Sequence, residues 1–163
     1  MNGLQLTDVA KVVMGCAPAA LATTAGDGDY VSLKGYSKLT IILAVLNATT
    51  VTGGAITLKQ ASAVAGTGEK ALAFTKMYAN IDCAASDTLV ETAVASNTFT
   101  TDTTNSKQLL YVIEVDAGDL DVAGGFDCVR IDSASMAAAV GSAVYVLHDS
   151  RYASPNAISA ITD

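Results

Sequence analysis

Residues Leu39 to Ala61, LTIILAVLNATTVTGGAITLKQA, constrain the fold more than any other stretch of the chain. Leu39 to Leu46 is an apolar run of strand length, rich in β-branched residues and interrupted only by Thr40. Such a run suits a strand covered on both faces, in the middle of a sandwich or against another subunit. Thr49-Thr50-Val51-Thr52 and the pair Gly53-Gly54 follow. The next segment alternates, with Ile56 and Leu58 on one side and Thr57, Lys59 and Ala61 on the other. Paired glycines reach the positive φ of tight hairpin turns, so the two runs are expected to form a hairpin.

At 163 residues the chain has single-domain length. A domain of this size buries roughly 70% of its unfolded surface, enough for a self-sufficient core. Alanine supplies much of the 51% hydrophobic fraction, with no Trp and three Phe, so the core is expected to be built of small and β-branched side chains. The charged fraction, 15%, is low against the usual ~25%. The net charge is −7 and the basic residues are scattered, which argues against nucleic-acid binding, because phosphate contacts need clustered Lys and Arg. Cys16, Cys83 and Cys128 are far apart and odd in number, with no C-x-x-C. They leave room for one disulfide at most and are expected to be buried free thiols.

The amino-terminal residues 1–29 read as an arm and linker. Thr7 is placed to cap a short helix, in which Val9, Val12, Val13 and Cys16 fall on one face until Gly15 and Pro18 end it. A helix of about nine residues is not stable alone, so that face is the candidate assembly contact, docked on its own domain or on a neighbour. Val13-Met14-Gly15-Cys16 loosely resembles a lipoprotein box and Ala20-Leu21-Ala22 a signal-peptidase site, but the basic and apolar regions that should precede them are missing. No stretch approaches the ~20 apolar residues of a membrane-spanning helix, so no membrane partner is expected.

From residue 30 onward the pattern is of strands. Tyr30 to Leu33, Ala71 to Asn80, Thr88 to Thr92, Asn97 to Thr101, Gln108 to Asp116, Phe126 to Asp132 and Ala143 to His148 join the two central runs. Ser133 to Gly141 reads as a helical turn or a loop crossing the sheet ends. Turn signals recur throughout and no long amphipathic helix intervenes, which predicts an all-β, antiparallel β-sandwich or jelly roll with a short N-terminal arm or helix. The expected organisation is arm and linker over 1–29, sandwich over 30–152 and tail over 153–163.

The motifs that could carry chemistry each fail on a particular residue. Gly66-x-Gly68-x-x-Ala71 matches a loose dinucleotide fingerprint, yet a strand follows where a helix must receive the pyrophosphate. Gly68-Glu69-Lys70-Ala71 echoes a phosphate loop, with Glu69 in place of its glycine and Ala71 in place of the hydroxyl that would hold magnesium. Asp119-x-Asp121 opens like a calcium loop, but Ala123 and Arg130 stand at later ligand positions. The acidic 114–132 region is therefore read as a solvated or partner-facing turn. His148, the single histidine, is followed by Asp149 and Ser150, and neighbours on a strand point apart rather than converge. No catalytic, cofactor or metal site is expected, and the chain is read as a non-enzyme.

Several segments together resemble small virion structural proteins of tailed bacteriophages. They are Tyr30-Val31-Ser32-Leu33-Lys34, Ala48 to Ala61, Gly66 to Phe74, Leu110-Tyr111-Val112-Ile113-Glu114-Val115-Asp116 and Gly125-Phe126-Asp127-Cys128-Val129-Arg130, spread over most of residues 30–152. The resemblance implies a head decoration, or capsid cement, protein. It implies a homotrimer on the capsid surface of the virion, clamping neighbouring copies of the major capsid protein, with no catalytic residues. A neck or tail component is the alternative, and a carbohydrate- or cell-surface-binding β module a more distant one. The last is disfavoured because no Trp is present to stack on sugars.

Overall fold

A computed structural model describes residues 5–21, 28–151 and 159–161. The chain is an all-β sandwich of two antiparallel sheets. Its strands are β1 (Ala10–Ala20), β2 (Val31–Ser32), β3 (Tyr36–Asn47), β4 (Ala55–Ala61), β5 (Lys70–Ala71) and β6 (Lys76–Asn80). They continue with β7 (Val90–Ala93), β8 (Thr98–Thr100), β9 (Gln108–Asp116), β10 (Cys128–Ser133) and β11 (Ala139–Ser150). One sheet has the order β1-β11-β3-β9-β6-β7; the other runs β2-β10-β4-β5, with β8 also pairing β4.

The Leu39–Leu46 run is the centre of this arrangement, as its composition requires. As part of β3 it lies between β11 and β9, with Ile41 opposite Tyr145 on one side and Ile113 on the other. Leu39, Ile41, Leu43 and Val45 point into the core, and meet Ile56 and Leu58 of β4 and Val129 and Ile131 of β10 within one buried cluster. Phe74 and Phe99 meet edge to face at 6.4 Å, and Phe99 stands 5.0 Å from Tyr111. The Tyr145 hydroxyl accepts the Ile131 amide at 2.9 Å, a hydrogen bond that bridges the two sheets.

Two expectations are corrected here. The central runs do not form a hairpin: β3 belongs to the six-stranded sheet and β4 to the other. Gly53, at φ +66°, lies in a crossing segment between the sheets, where the Gly54 amide donates to the Thr101 hydroxyl at 3.0 Å. The Cβ of any residue at position 54 would lie 2.2 Å from Met136 Cγ, so this glycine serves close packing of the crossover.

The second correction concerns the arm. Only Leu6–Val9 is helical, and Ala10–Ala20 is a strand that pairs antiparallel with β11, Val12 opposite Val146 and Met14 opposite Val144. Two β-bulges interrupt it after Met14 and Cys16. The sandwich thus begins near residue 10 rather than residue 30. The reason is physical: so short a helix has little stability of its own, whereas β-branched valines fit a half-buried strand and β11 provides a partner. Residues 22–27 of the expected linker and most of the 153–163 tail lie outside the described residues. Ala160 of the tail is buried, and its carbonyl accepts the Ser32 amide at 2.7 Å.

Candidate functional site

The two outer faces of the sandwich differ in chemistry. On the six-stranded sheet, pairing registers align outward side chains in rows. Met14, Val144, Ile42, Val112 and Tyr78 form one row from β1 to β6. Val12, Val146, Thr40 and Glu114 form the next, and Val140, Leu46 and Gln108 lie towards the other end. Met14 is 53% exposed, Leu46 50%, and Val12 and Val140 47% each. At ~4.8 Å between strands and ~3.4 Å per residue, this apolar field covers about 400 Å². That is the size of the largest apolar patch on a typical soluble monomer, ~300–600 Å², and such patches are often functional.

Two shallow cavities bracket the field. One, of 480 Å³, is lined by Leu6, Val9, Ile42 and Val146 with Thr40 and His148 at its side. The other, of 430 Å³, is lined by Leu46, Ala138 and Val140 among others. Both are lined chiefly by aliphatic side chains and offer few groups to orient a polar ligand.

The four residues expected to share a helical face are divided by the strand geometry. Val12 faces outward in the apolar field, and Val9 is 44% exposed on the short helix above it. Val13 pairs opposite Tyr145 and is packed against the core, and Cys16 is buried in it. Val9 and Val12 therefore belong to the exposed surface and Val13 and Cys16 to the interior.

The five-stranded sheet carries a polar lattice instead. Lys59 of β4 pairs with Glu69 at 2.8 Å and with Asp132 of β10 at 2.5 Å, and Arg130 meets Glu69 at 3.0 Å. The Tyr30 hydroxyl donates to Glu69 at 2.7 Å beneath the Arg130 guanidinium, which lies 5.2 Å from its ring. Hydrogen bonds from Lys59 and then Tyr30 hold the Glu69 carboxyl below its usual range, while those to Asp132 and Glu69 raise the Lys59 ammonium. Burial, then Glu69, pushes the Tyr30 hydroxyl well above its ordinary value. Every charge has an opposite neighbour, so this face is internally neutralised.

The sequence motifs resolve into structural roles. Residues 62–69 form the loop between β4 and β5, closed by the Ser62 amide donating to Thr67 at 2.9 Å, with Gly66 and Gly68 at positive φ. Asp121 accepts the Gly124 amide at 2.9 Å and pairs with Lys70, whose ammonium sits 3.9 Å from the Phe126 ring centre. Asp119 accepts the Asp116 amide at 3.1 Å. Among the described residues no group of three His, Cys, Asp or Glu is arranged to hold a metal ion. Cys16, Cys83 and Cys128 are free thiols; Cys16 and Cys128 are buried and Cys83 partly so.

His148 does meet a hydroxyl, which its sequence neighbours did not foretell. Its Nε2 lies 3.0 Å from Thr40 Oγ1 across the β11–β3 pair, while its Nδ1 is 3.8 Å from Asp149. That second distance exceeds a hydrogen bond, so the carboxylate does not fix the imidazole. Thr40 is also mid-strand, with Leu39 and Ile41 in register with both neighbours, so their backbone groups are committed to the sheet rather than to an oxyanion.

No protein-family model matches the chain, and no curated protein matches it in sequence. Among solved structures it is similar to the crystal structure of the SPBc2 prophage-derived protein YomS, at 12% identity and a TM-score of 0.46, over 90% of this chain and 99% of that one.

Proposed function

We propose that this chain is a non-enzymatic virion structural protein of a tailed bacteriophage, one that decorates the capsid and stabilises it by clamping neighbouring major capsid subunits. The observation that carries the reading is the uncovered apolar face of the six-stranded sheet, set against a polar face whose charges are already paired. The resemblance of residues 30–152 to phage virion proteins supplies the biological setting. A field of about 400 Å² is half of what one partner buries in a standard interface, ~800 Å². A single contact is therefore weak. On a shell, however, the site recurs in fixed geometry, and copies that engage more than one subunit gain from effective concentration. Capsid decoration supplies that repetition.

Quantifying the chain in purified particles tests the proposal. Hundreds of copies per particle are expected for decoration. A single ring's worth of copies would instead assign it to the neck or tail, and absence from the particle would remove any virion role.

A further inference from the structure

We infer that the free edge of β7 is a second, self-complementary interface, through which two copies of this chain join their six-stranded sheets by antiparallel strand pairing about a two-fold axis. The strand lies at the end of its sheet and is paired on one side, to β6. Every residue from Ala84 to Ala93 is exposed. Val90 lies opposite Ala79, which places it on the inner face, yet it is 60% exposed because the other sheet does not reach it. Leu89, at 40%, and Ile81, at 50%, extend the uncovered apolar surface.

The other edge strands are blunted or very short, as natural proteins require of edges that must not pair, and β8, beside β4, has three residues. In β1, Pro18 lacks an amide, two bulges break the register, and the Gly15 carbonyl already accepts Asp29. At β2, the Ser32 amide is taken by Ala160. The edge strand β5 is two residues long and carries Lys70. None of these guards occurs in Val90–Ala93, which has no proline, lysine or bulge. Its one charge, Glu91, is neutralised by Lys76 at 3.3 Å and accepts the Tyr78 hydroxyl at 3.0 Å.

A second copy fits this edge in a particular register. A two-fold axis normal to the sheet keeps inner faces on one side, so inward residues must meet inward residues. Centring on Glu91 would oppose two carboxylates, which is destabilising. Centring on Val90 sets Val90 against its own copy and Leu89 against Glu91, giving an apolar centre and separating the acids. The isologous contact yields a dimer in place of the trimer implied by the resemblance.

Sedimentation equilibrium of the full chain, at low to high micromolar concentration, tests this. The wild type is expected to show a monomer–dimer equilibrium. Val90→Lys, which restores an edge guard, should weaken it by about tenfold or more, with no change in thermal midpoint at concentrations where the wild type is monomeric, since Val90 is exposed. Val90→Ile should retain it. In a Cys83→Ser background, Val90→Cys should give a covalent dimer on mild oxidation. A wild type that stays monomeric, a trimeric mass, or a dimer indifferent to Val90→Lys would each overturn the inference.

Discussion

Tyr145 shows how much of this fold depends on single contacts. Its ring fills the space beside Gly15, where an added Cβ would lie 2.4 Å from the ring, and its hydroxyl accepts the Ile131 amide of the opposite sheet. Tyr145→Phe leaves that buried amide without its partner and is expected to cost ~1–3 kcal/mol in chemical denaturation. Gly15→Ala forces the ring aside and should cost a similar ~1–3 kcal/mol through overpacking. Neither role was legible in the sequence, because Gly15 reads as a helix breaker until its strand register is known. The Glu69 network was hidden for the same reason: Lys59 and Arg130 become neighbours only through the pairing of β4 with β10. Its pH behaviour follows from the direction of the shift. Glu69 is held below its unfolded pKa, so its stabilisation is complete above about pH 4.3 and is lost as pH falls through the folded value. Glu69→Gln should flatten that acid limb of the stability curve, and an unchanged limb would show that other carboxylates dominate it.

At the scale of elements, period-two alternation exposed most strands, and Gln108–Asp116 was readable from end to end. The partners of each strand were not. Gly53-Gly54 carries the local chemistry of a hairpin, but whether the chain turns back or crosses to another sheet depends on distant residues such as Thr101 and Met136. The spacing of Val9, Val12, Val13 and Cys16 fits a helical face, while β propensity and an available partner strand favour β1. The correction changes what truncation should do. Removing residues 1–21 takes away β1 with buried Cys16 and Leu21, and uncovers one edge of β11. The truncated chain is expected to unfold or to lose several degrees of thermal midpoint as a monomer. A truncated form of full stability that merely fails to assemble would restore the idea of a detachable arm.

The whole molecule is an asymmetric sandwich: one sheet presents paired charges to solvent, and the other an aliphatic field edged by Thr40, Glu114 and Gln108. The sequence carried the decisive hint in Leu39–Leu46, a run too apolar for a strand with one wet face. It could not say whether the second cover was another layer of the same chain or a partner. In the fold, Ile42, Ala44 and Leu46 face outward with no further layer upon them among the described residues. The account therefore rests on that field being a docking surface. Its most direct test is the binding of the double variant Met14→Glu, Leu46→Glu to phage shells from which this chain is absent, measured by co-sedimentation beside the wild type. Both side chains are about half exposed, so the variant should keep its thermal midpoint while its affinity for shells falls at least about tenfold. A folded variant that binds shells as tightly as the wild type would contradict the account.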